Sequence, residues 1–408
     1  LAERKEAIRL HLYEGKSKAE TCRRMGRSRP WLDRWLVRYD PDDVDGSLDS
    51  GAPGPEAGAT SYSPQTHDLV VAMRQERSRD DRHPYALCGA AAIHYELKAL
   101  DSAEVPSVRT IHRWLKEAGL IAPSTSTQEE EQSKPIPLPQ AEGVNDVHQL
   151  DLKGPLYLRG SSQKHYLIVL HDSYSRRCAL DIATSRKAQG IVDFLVATWQ
   201  WMGLSKFLQM DNALEFRGSN RYPRSFGKVV RVALDVGVDP VFIPLSEPWR
   251  NGCVERFNGF LEQRLLAVEC ADLAALRAET EACQAARNQT HRLSALEGQT
   301  PDEVTDPADV RLLAANYQRH QRNSLPQDKG VVSFVRQVRK SGRITLGAGD
   351  RFMVSPELAY SYVLAQVYLD EQIVAISHTQ DPLFVYPFTP HSVDVWAMDD
   401  TPYSISYV

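Results

Sequence analysis

Beyond residue 144, strand-like stretches follow one another before any helix intervenes. Residues 147–152, 166–171 and 178–183 read as strands, the second nearly continuously apolar. An amphipathic helix over 187–202 comes next, and further strands are read at 207–210 and 241–245. Three successive strands followed by strands alternating with helices call for a mixed α/β sheet rather than a β-sandwich.

Two stretches cut the chain by composition. Residues 40–60 are rich in Asp, Gly and Pro, and residues 123–142 in Ser, Gln, Glu and Pro. Neither can bury enough apolar surface to fold alone. The expected plan is therefore multidomain: a helix-turn-helix unit over 1–45, a second over 63–121, a linker over 122–143 and an α/β core over 144–270. A helical bridge over 271–325, with helices at 271–291 and 308–321, leads to a β domain over 328–408. There, short strands at 331–338, 343–346, 351–354, 363–369, 373–377 and 383–387, separated by Gly or Asp turns, suggest a small barrel. At 408 residues the chain is too long for one ordinary domain. Its 42% hydrophobic and 25% charged content excludes a disordered, collagenous or membrane-embedded protein. Six cysteines without a CxxC pair fit reduced thiols in a cytoplasm. No apolar run is long enough to cross a bilayer, and the basic N-terminus lacks the apolar core of a signal peptide. The chain opens at Leu1, and an initiating residue or a longer N-terminus is expected before it.

The net charge of -5 hides a segregation, since basic residues outnumber acidic ones about two to one through Tyr39. In that basic unit, helices are expected over 2–13, from 17 or 18 to 25, and over 29–39. The tight turn at Gly26, with the small Cys22 four residues earlier, is helix-turn-helix grammar. Trp31, Leu32, Trp35 and Leu36 form the inward face of the third helix, and Arg27, Arg29 and Arg34 are candidates for DNA contact. The alternative is a three-helix bundle with a solvated basic face. The middle unit repeats the plan: helices are expected after Ser63-Pro64, over 86–100 and over 107–118, with Ser107 as N-cap. Its last helix turns Val108, Ile111 and Leu115 inward and Arg109, His112, Arg113 and Lys116 outward, a second DNA-reading face or else a spacer bundle. Two tandem readers on a tether suit a long, bipartite DNA site.

Three carboxylates fall where the sheet would expose them: Asp151 in the first strand, Asp211 just past the fourth, and Glu255 at the start of the helix after Asn251-Gly252. Clustered acids repel one another unless a cation neutralises them, so such a cluster reads as a divalent metal site. Oxygen-only ligands favour Mg2+ or Mn2+ over zinc, and paired ions suit phosphodiester chemistry. Spacing alone does not single out these three, because Asp and Glu are numerous.

Their neighbours do. The runs His148-Gln149-Leu150-Asp151-Leu152-Lys153-Gly154, His171-Asp172-Ser173-Tyr174-Ser175-Arg176, Gln209-Met210-Asp211-Asn212-Ala213-Leu214-Glu215-Phe216 and Trp249-Arg250-Asn251-Gly252-Cys253-Val254-Glu255-Arg256-Phe257-Asn258 appear in order. With Asn288-Gln289-Thr290-His291-Arg292 and Leu296, Gly298, Thr300 and Pro301 beyond them, they resemble the catalytic core of bacterial insertion-sequence transposases in the retroviral-integrase, or DDE, superfamily. The resemblance covers roughly residues 144–304 closely and the upstream units more loosely.

That resemblance implies an RNase H-like fold in which Asp151, Asp211 and Glu255 bind two Mg2+ ions, with Mn2+ as a substitute. Water would attack the phosphodiester at each transposon end, and the freed 3'-hydroxyl would then attack target DNA without a covalent enzyme intermediate. The implied partners are double-stranded DNA, as terminal inverted repeats and target, and further copies of the chain, as a dimer or tetramer on DNA. No membrane is implied, a helper ATPase is left open, and the implied setting is the bacterial cytoplasm and nucleoid. Asn258, on the face of Glu255, is expected to contact DNA near the metals, with Phe257, Leu261 and Leu265 packing inward. Asp172 and Glu215 are expected to be structural. Trp249 and Arg250 precede Glu255, where stacking on an unpaired base and plain packing are both open. Arg264 is a further candidate contact, as are Arg339 and Lys340 in a cluster with Arg336, Arg343 and Arg351 that gives the barrel a DNA-facing side or a packing surface. Three departures stand out: the Asp211–Glu255 interval is long, with 217–228 read as an inserted basic loop; Glu262 stands where many relatives carry Lys; and the His/Cys zinc module of retroviral integrases is missing, so no structural zinc is expected. The rival readings are a domesticated, catalytically idle DNA-binding regulator and an RNase H-like nuclease without strand transfer.

Overall fold

The computed structural model describes residues 1–49, 62–79, 85–121, 136–218, 224–245, 247, 252–322, 325–346, 349–378 and 382–390. The chain divides into two units, Leu1–Pro64 and Gln65–Val408.

The first unit is helical: α1 (Ala2–Ile8), α2 (Lys18–Met25), α3 (Arg29–Arg38) and α4 (Val44–Leu48). The expected helix over 2–13 is in fact α1 followed by a wider π turn, Arg9–Tyr13. Ser17 caps α2 by accepting the Glu20 amide at 3.2 Å, and Gly26 ends it in the left-handed region at φ 62°. Leu32 and Trp35 of α3 are buried with Ala7, Ile8 and Leu10. Residues 40–60 are not wholly a linker, because α4 forms there and Leu48 is fully buried. One large apolar side chain, with Asp43 capping the Gly46 amide, is enough to fold that short segment onto its neighbours.

In the second unit, α5 (Pro64–Arg79), α6 (Ala90–Ala99) and α7 (Val108–Glu117) share a small core of Val70, Met73, Ile93, Leu97, Ile111 and Leu115. Ser107 caps α7 through the Thr110 amide. Val108 is exposed rather than inward, and half-buried Trp114 packs against that core instead. These helices are not held by a tether alone. Buried Tyr85 joins a core with Val254, Phe257 and Leu261, and His291 Nε2 donates to the Tyr85 carbonyl at 2.7 Å.

The sheet runs through β1 (Val147–Tyr157), β2 (Lys164–Asp172), β3 (Cys178–Ala183), β4 (Phe207–Met210) and β5 (Asp239–Phe242). Around these lie α8 (Ala188–Trp199), α9 (Leu214–Arg217), α10 (Lys228–Asp235), α11 (Gly252–Arg264), α12 (Leu273–Gln289) and the short α13 (Pro301–Val304). β1 extends past the expected 152, and β5 starts two residues before the expected 241. The outer edge of β3 is satisfied by side chains of α12: Asn288 bonds both the amide and the carbonyl of Cys178, and Gln284 accepts the Leu180 amide. The expected helix over 308–321 is absent. Only short turns form there, because its backbone bonds elsewhere, Leu204 to the Arg311 carbonyl and Leu313 to the Trp199 carbonyl.

The C-terminal strands are β6 (Val331–Gln337), β7 (Arg343–Leu346), β8 (Asp350–Met353), β9 (Tyr362–Tyr368), β10 (Ile373–Ser377) and β11 (Pro382–Pro387). They fall where the sequence places them, but not as a separate closed barrel. Among the described residues one nine-stranded sheet runs β11-β10-β9-β6-β5-β4-β1-β2-β3, and β7 pairs with β8 alone. β6 lies parallel to β5, with Val241 opposite Ser333 and Phe242 opposite Phe334. Val332 to Arg336 are buried on both faces, so β6 behaves as an interior strand. Phe334 stacks on Phe242 with centroids 5.0 Å apart, and a single apolar core continues across that junction.

Candidate active site

β1 and β4 are parallel neighbours, with Val147 opposite Phe207 and Gln149 opposite Gln209. Asp151 and Asp211 each lie two residues beyond that last pair, Asp151 still within β1 and Asp211 just past the end of β4. Side chains alternate along a strand, so Gln149, Asp151 and Lys153 share a face of β1. On α11, Glu255, Asn258 and Glu262 recur at helical spacing. The two faces join by three polar contacts. Gln149 Oε1 accepts the Val254 amide at 2.9 Å, Asn258 Nδ2 donates to Asp151 Oδ2 at 2.6 Å, and Lys153 Nζ meets Glu262 Oε1 at 2.7 Å. Glu255 is thereby held beside Asp151, while Phe257, Leu261 and Leu265 anchor the opposite face of the helix as expected.

The carboxylates also interact through their charges. Burial raises the Asp211 carboxyl above the usual carboxylate range, and the charges of Asp151 and Glu215 add to the rise against a 2.8 Å bond from the Ala213 amide. Burial likewise raises Glu255, with Asp151 adding and Lys153 opposing. Asp151 therefore acts on both partners, and a cation would relieve the repulsion. Among the described residues no three His, Cys, Asp or Glu side chains converge closely enough to hold a metal ion. The donor set nevertheless fits a hard divalent cation: three carboxylates, all oxygen, plus the buried and unpartnered Oδ1 of Asn258 nearby.

Sequence reasoning missed Gln149 and Lys153, although the alternation along β1 signals both. It assigned Asn258 to DNA, whereas the side chain is buried and its Nδ2 is committed to Asp151. Glu262, the departure from the relatives' Lys, is the partner of Lys153. Asp172 is fully buried and accepts the Ser175 amide and hydroxyl, and Glu215 pairs with Arg186.

The other candidates divide. Arg29 and Arg34 are exposed in the first unit, while Arg27 pairs with Glu3 at 2.6 Å and lies over Trp31. Arg109, Arg113 and Lys116 are exposed on one side of α7. Arg339 and Lys340 are exposed in the turn after β6. Arg264 is half-buried and points its Nη2 at Cys88 Sγ rather than at an open surface. Arg336 does not belong to the exposed basic cluster, because it is only 3% exposed. Trp249 and Arg250 lie outside the described residues. No helix among the described residues is long and apolar enough to cross a membrane.

Two family models match separate parts of the chain. The family described as winged helix-turn-helix matches residues 4–61, and that described as integrase core domain matches residues 236–301, which include Glu255. The chain carries an integrase core domain behind a helix-turn-helix domain. This pairing agrees with the DDE transposase and integrase motifs. Solved structures with similarity include the HTLV-2 integrase catalytic core domain in complex with magnesium, at 16% identity over 41% of this chain and 100% of that one, TM-score 0.33. The BIV integrase catalytic core domain matches at 17% identity over 39% and 93%, TM-score 0.31. A simian T-cell lymphotropic virus intasome in complex with PP2A regulatory subunit B56 gamma matches at 11% identity over 74% and 95%, TM-score 0.36. No curated protein matches the chain.

Proposed function

We propose that this integrase-core protein is a DNA transposase that binds the inverted ends of an insertion element, cleaves them and joins the 3'-hydroxyl ends to target DNA. The observation that carries the reading is that Asp151 on β1 and Asp211 just past β4 follow the last paired residues of two parallel neighbouring strands, with Glu255 held beside Asp151 by the contacts between β1 and α11. Those three carboxylates would hold two Mg2+ ions. When bound, the ions neutralise charge on the reacting phosphate and lower the pKa of the attacking hydroxyl.

The chain's own residues supply orientation. Asn258 fixes one oxygen of Asp151 by donating to it, and Gln149 sets where α11 begins and hence where Glu255 stands. The Ala213 amide fixes Oδ1 of Asp211. Such placement is where a phosphoryl-transfer site obtains most of its rate, through positioning and charge complementarity. Arg29 and Arg34, and separately Arg109, Arg113 and Lys116, present cations to phosphates of the element ends, with Arg339 and Lys340 as further contacts. Two ends must be joined in one event, so at least two subunits act together.

The test incubates the full chain with Mg2+, labelled end DNA and a supercoiled plasmid. Joined product is expected, and Asp211→Asn should abolish cleavage and joining while end binding persists. Joining by Asp211→Asn at the wild-type rate would refute the assignment, and cleavage without joined product would point to a nuclease.

A further inference from the structure

Arg336, on β6, is the one member of the C-terminal basic cluster that the fold buries, and its surroundings are unusual for an arginine. Its Nε donates to the Thr345 carbonyl at 3.1 Å, and Nη1 to the carbonyls of Val335 at 2.9 Å and Ile243 at 3.3 Å. Nη2 donates to Asn212 Oδ1 at 2.7 Å, and the guanidinium lies 4.9 Å from the Phe334 ring centre. Among the described residues no carboxylate pairs with it. Burial, with a contribution from Arg217, pushes its pKa down to about 9. A buried cation without a counter-charge is costly, and an apolar side chain of similar length would pack there at less expense. The four-acceptor fork therefore needs a reason beyond packing.

Asn212 supplies it. Its Nδ2 donates to the same Ile243 carbonyl at 2.7 Å, so Arg336, Asn212 and Ile243 form a closed triangle of hydrogen bonds. The Ile243 amide in turn bonds the Met210 carbonyl at 3.1 Å, tying the end of β5 to the end of β4. Asp211 stands between Met210 and Asn212. We propose that Arg336 is a positioning residue: through Asn212 it clamps the segment that carries Asp211, which makes the C-terminal strands part of the active site. Its functional half rests on the reading of Asp211 as a metal ligand. A lysine cannot replace it, because an ammonium lacks the planar fork that reaches Asn212 and the carbonyls together.

The experiment uses the full chain and three variants, Arg336→Lys, Asn212→Ala and their combination, with Asp211→Asn as reference. Hydrogen exchange by mass spectrometry reads residues 210–218, and electron paramagnetic resonance reads Mn2+ binding without DNA. Arg336→Lys should speed exchange at 210–218 about tenfold, the scale of one lost buried hydrogen bond, and leave β2 as in the wild type. It should also raise the Mn2+ concentration for half-saturation about tenfold. Asn212→Ala should do the same without altering β6, so it carries the test should Arg336→Lys fail to fold. The combined variant should be no worse than the poorer single one, since both remove the same contact. Wild-type exchange and wild-type Mn2+ binding in Asn212→Ala would overturn the proposal. Faster exchange with unchanged Mn2+ binding would overturn its functional half. Should Asp211→Asn bind Mn2+ as tightly as the wild type while both clamp variants loosen 210–218, the metal reading falls and the clamp stands.

Discussion

Phe334→Ala separates a continuous sheet from a catalytic core with a detached C-terminal domain. Phe334 is 2% exposed, stacks on Phe242 at 5.0 Å and 12°, and lies 6.4 Å from Phe226. Truncating a fully buried phenylalanine costs about 3–5 kcal/mol, and the aromatic stack accounts for about 1 kcal/mol beyond area alone. Phe242 belongs to β5 and Phe226 precedes α10, so the loss falls on the catalytic side of the sheet as much as on β6. The cost should therefore appear far from the substitution. Native-state hydrogen exchange in rising urea, read at peptides of β1, β2 and β4, should show their opening free energy lowered by about 4 kcal/mol, in step with residues 331–337. The reasoning fails if residues 331–387 exchange freely in the variant while β1, β2 and β4 keep wild-type protection. That result would make the C-terminal strands an independent body resting against β5.

Other perturbations probe the remaining parts. Leu48→Ala should cost about 2–5 kcal/mol in the first unit, seen as faster exchange in α1 and α3; unchanged protection would return residues 44–48 to a linker. Burial holds His148 and His291 down at about 4, and drives His171 well below its usual value with Arg287, Arg176 and His148 adding to the effect. Because folding keeps these imidazoles neutral, the unfolded chain binds more protons below pH 6.5. Stability should thus be complete above that pH and fall as the pH drops toward 4, by about 3 kcal/mol each for His148 and His291, measured by urea midpoints across that range. A flat profile would contradict the buried, neutral state. Arg109→Ala, Arg113→Ala and Lys116→Ala should each weaken end binding and lower the slope of log K against log salt by about 1, in a fluorescence anisotropy titration. Unchanged slopes would remove α7 from the DNA interface.

Positions of strands were legible in the sequence because alternation and turn residues are local signals; partners of strands were not. The six C-terminal strands fall within a residue or two of their expected places, yet β6 pairs with β5 across some ninety residues, a distance over which periodicity carries no information. Helix α10 has no counterpart among the expected elements: three of the four residues Val229-Val230-Arg231-Val232 are β-branched, which disfavours helix, and packing against α8 overrides that weak preference. Arg336 was read by charge alone. Counted in twos along β6, it shares a face with Val332 and Phe334, both buried, and that alternation already pointed inward.

Glu262 takes part in the contact between β1 and α11. A lysine on α11 at that position would face Lys153 from β1, and two cations in that contact would push the helix away from the strand that carries Asp151. Here the signs are opposed, so the third contact between β1 and α11 closes as an ion pair, with Lys153 largely sheltered and Glu262 open to solvent. Exposure of one partner limits the energy of such a pair to a fraction of a kcal/mol up to about 1 kcal/mol. Its consequence is geometric instead: together with Gln149 to Val254 and Asn258 to Asp151, it fixes both ends of the helix segment bearing Glu255. On the β4 side, Arg336 bonds Asn212, the residue next to Asp211. Asp151 and Asp211 are thus bonded by uncharged groups, Asn258 and the Ala213 amide, and the strand order that brings such neighbours together is what the amino-acid sequence conceals.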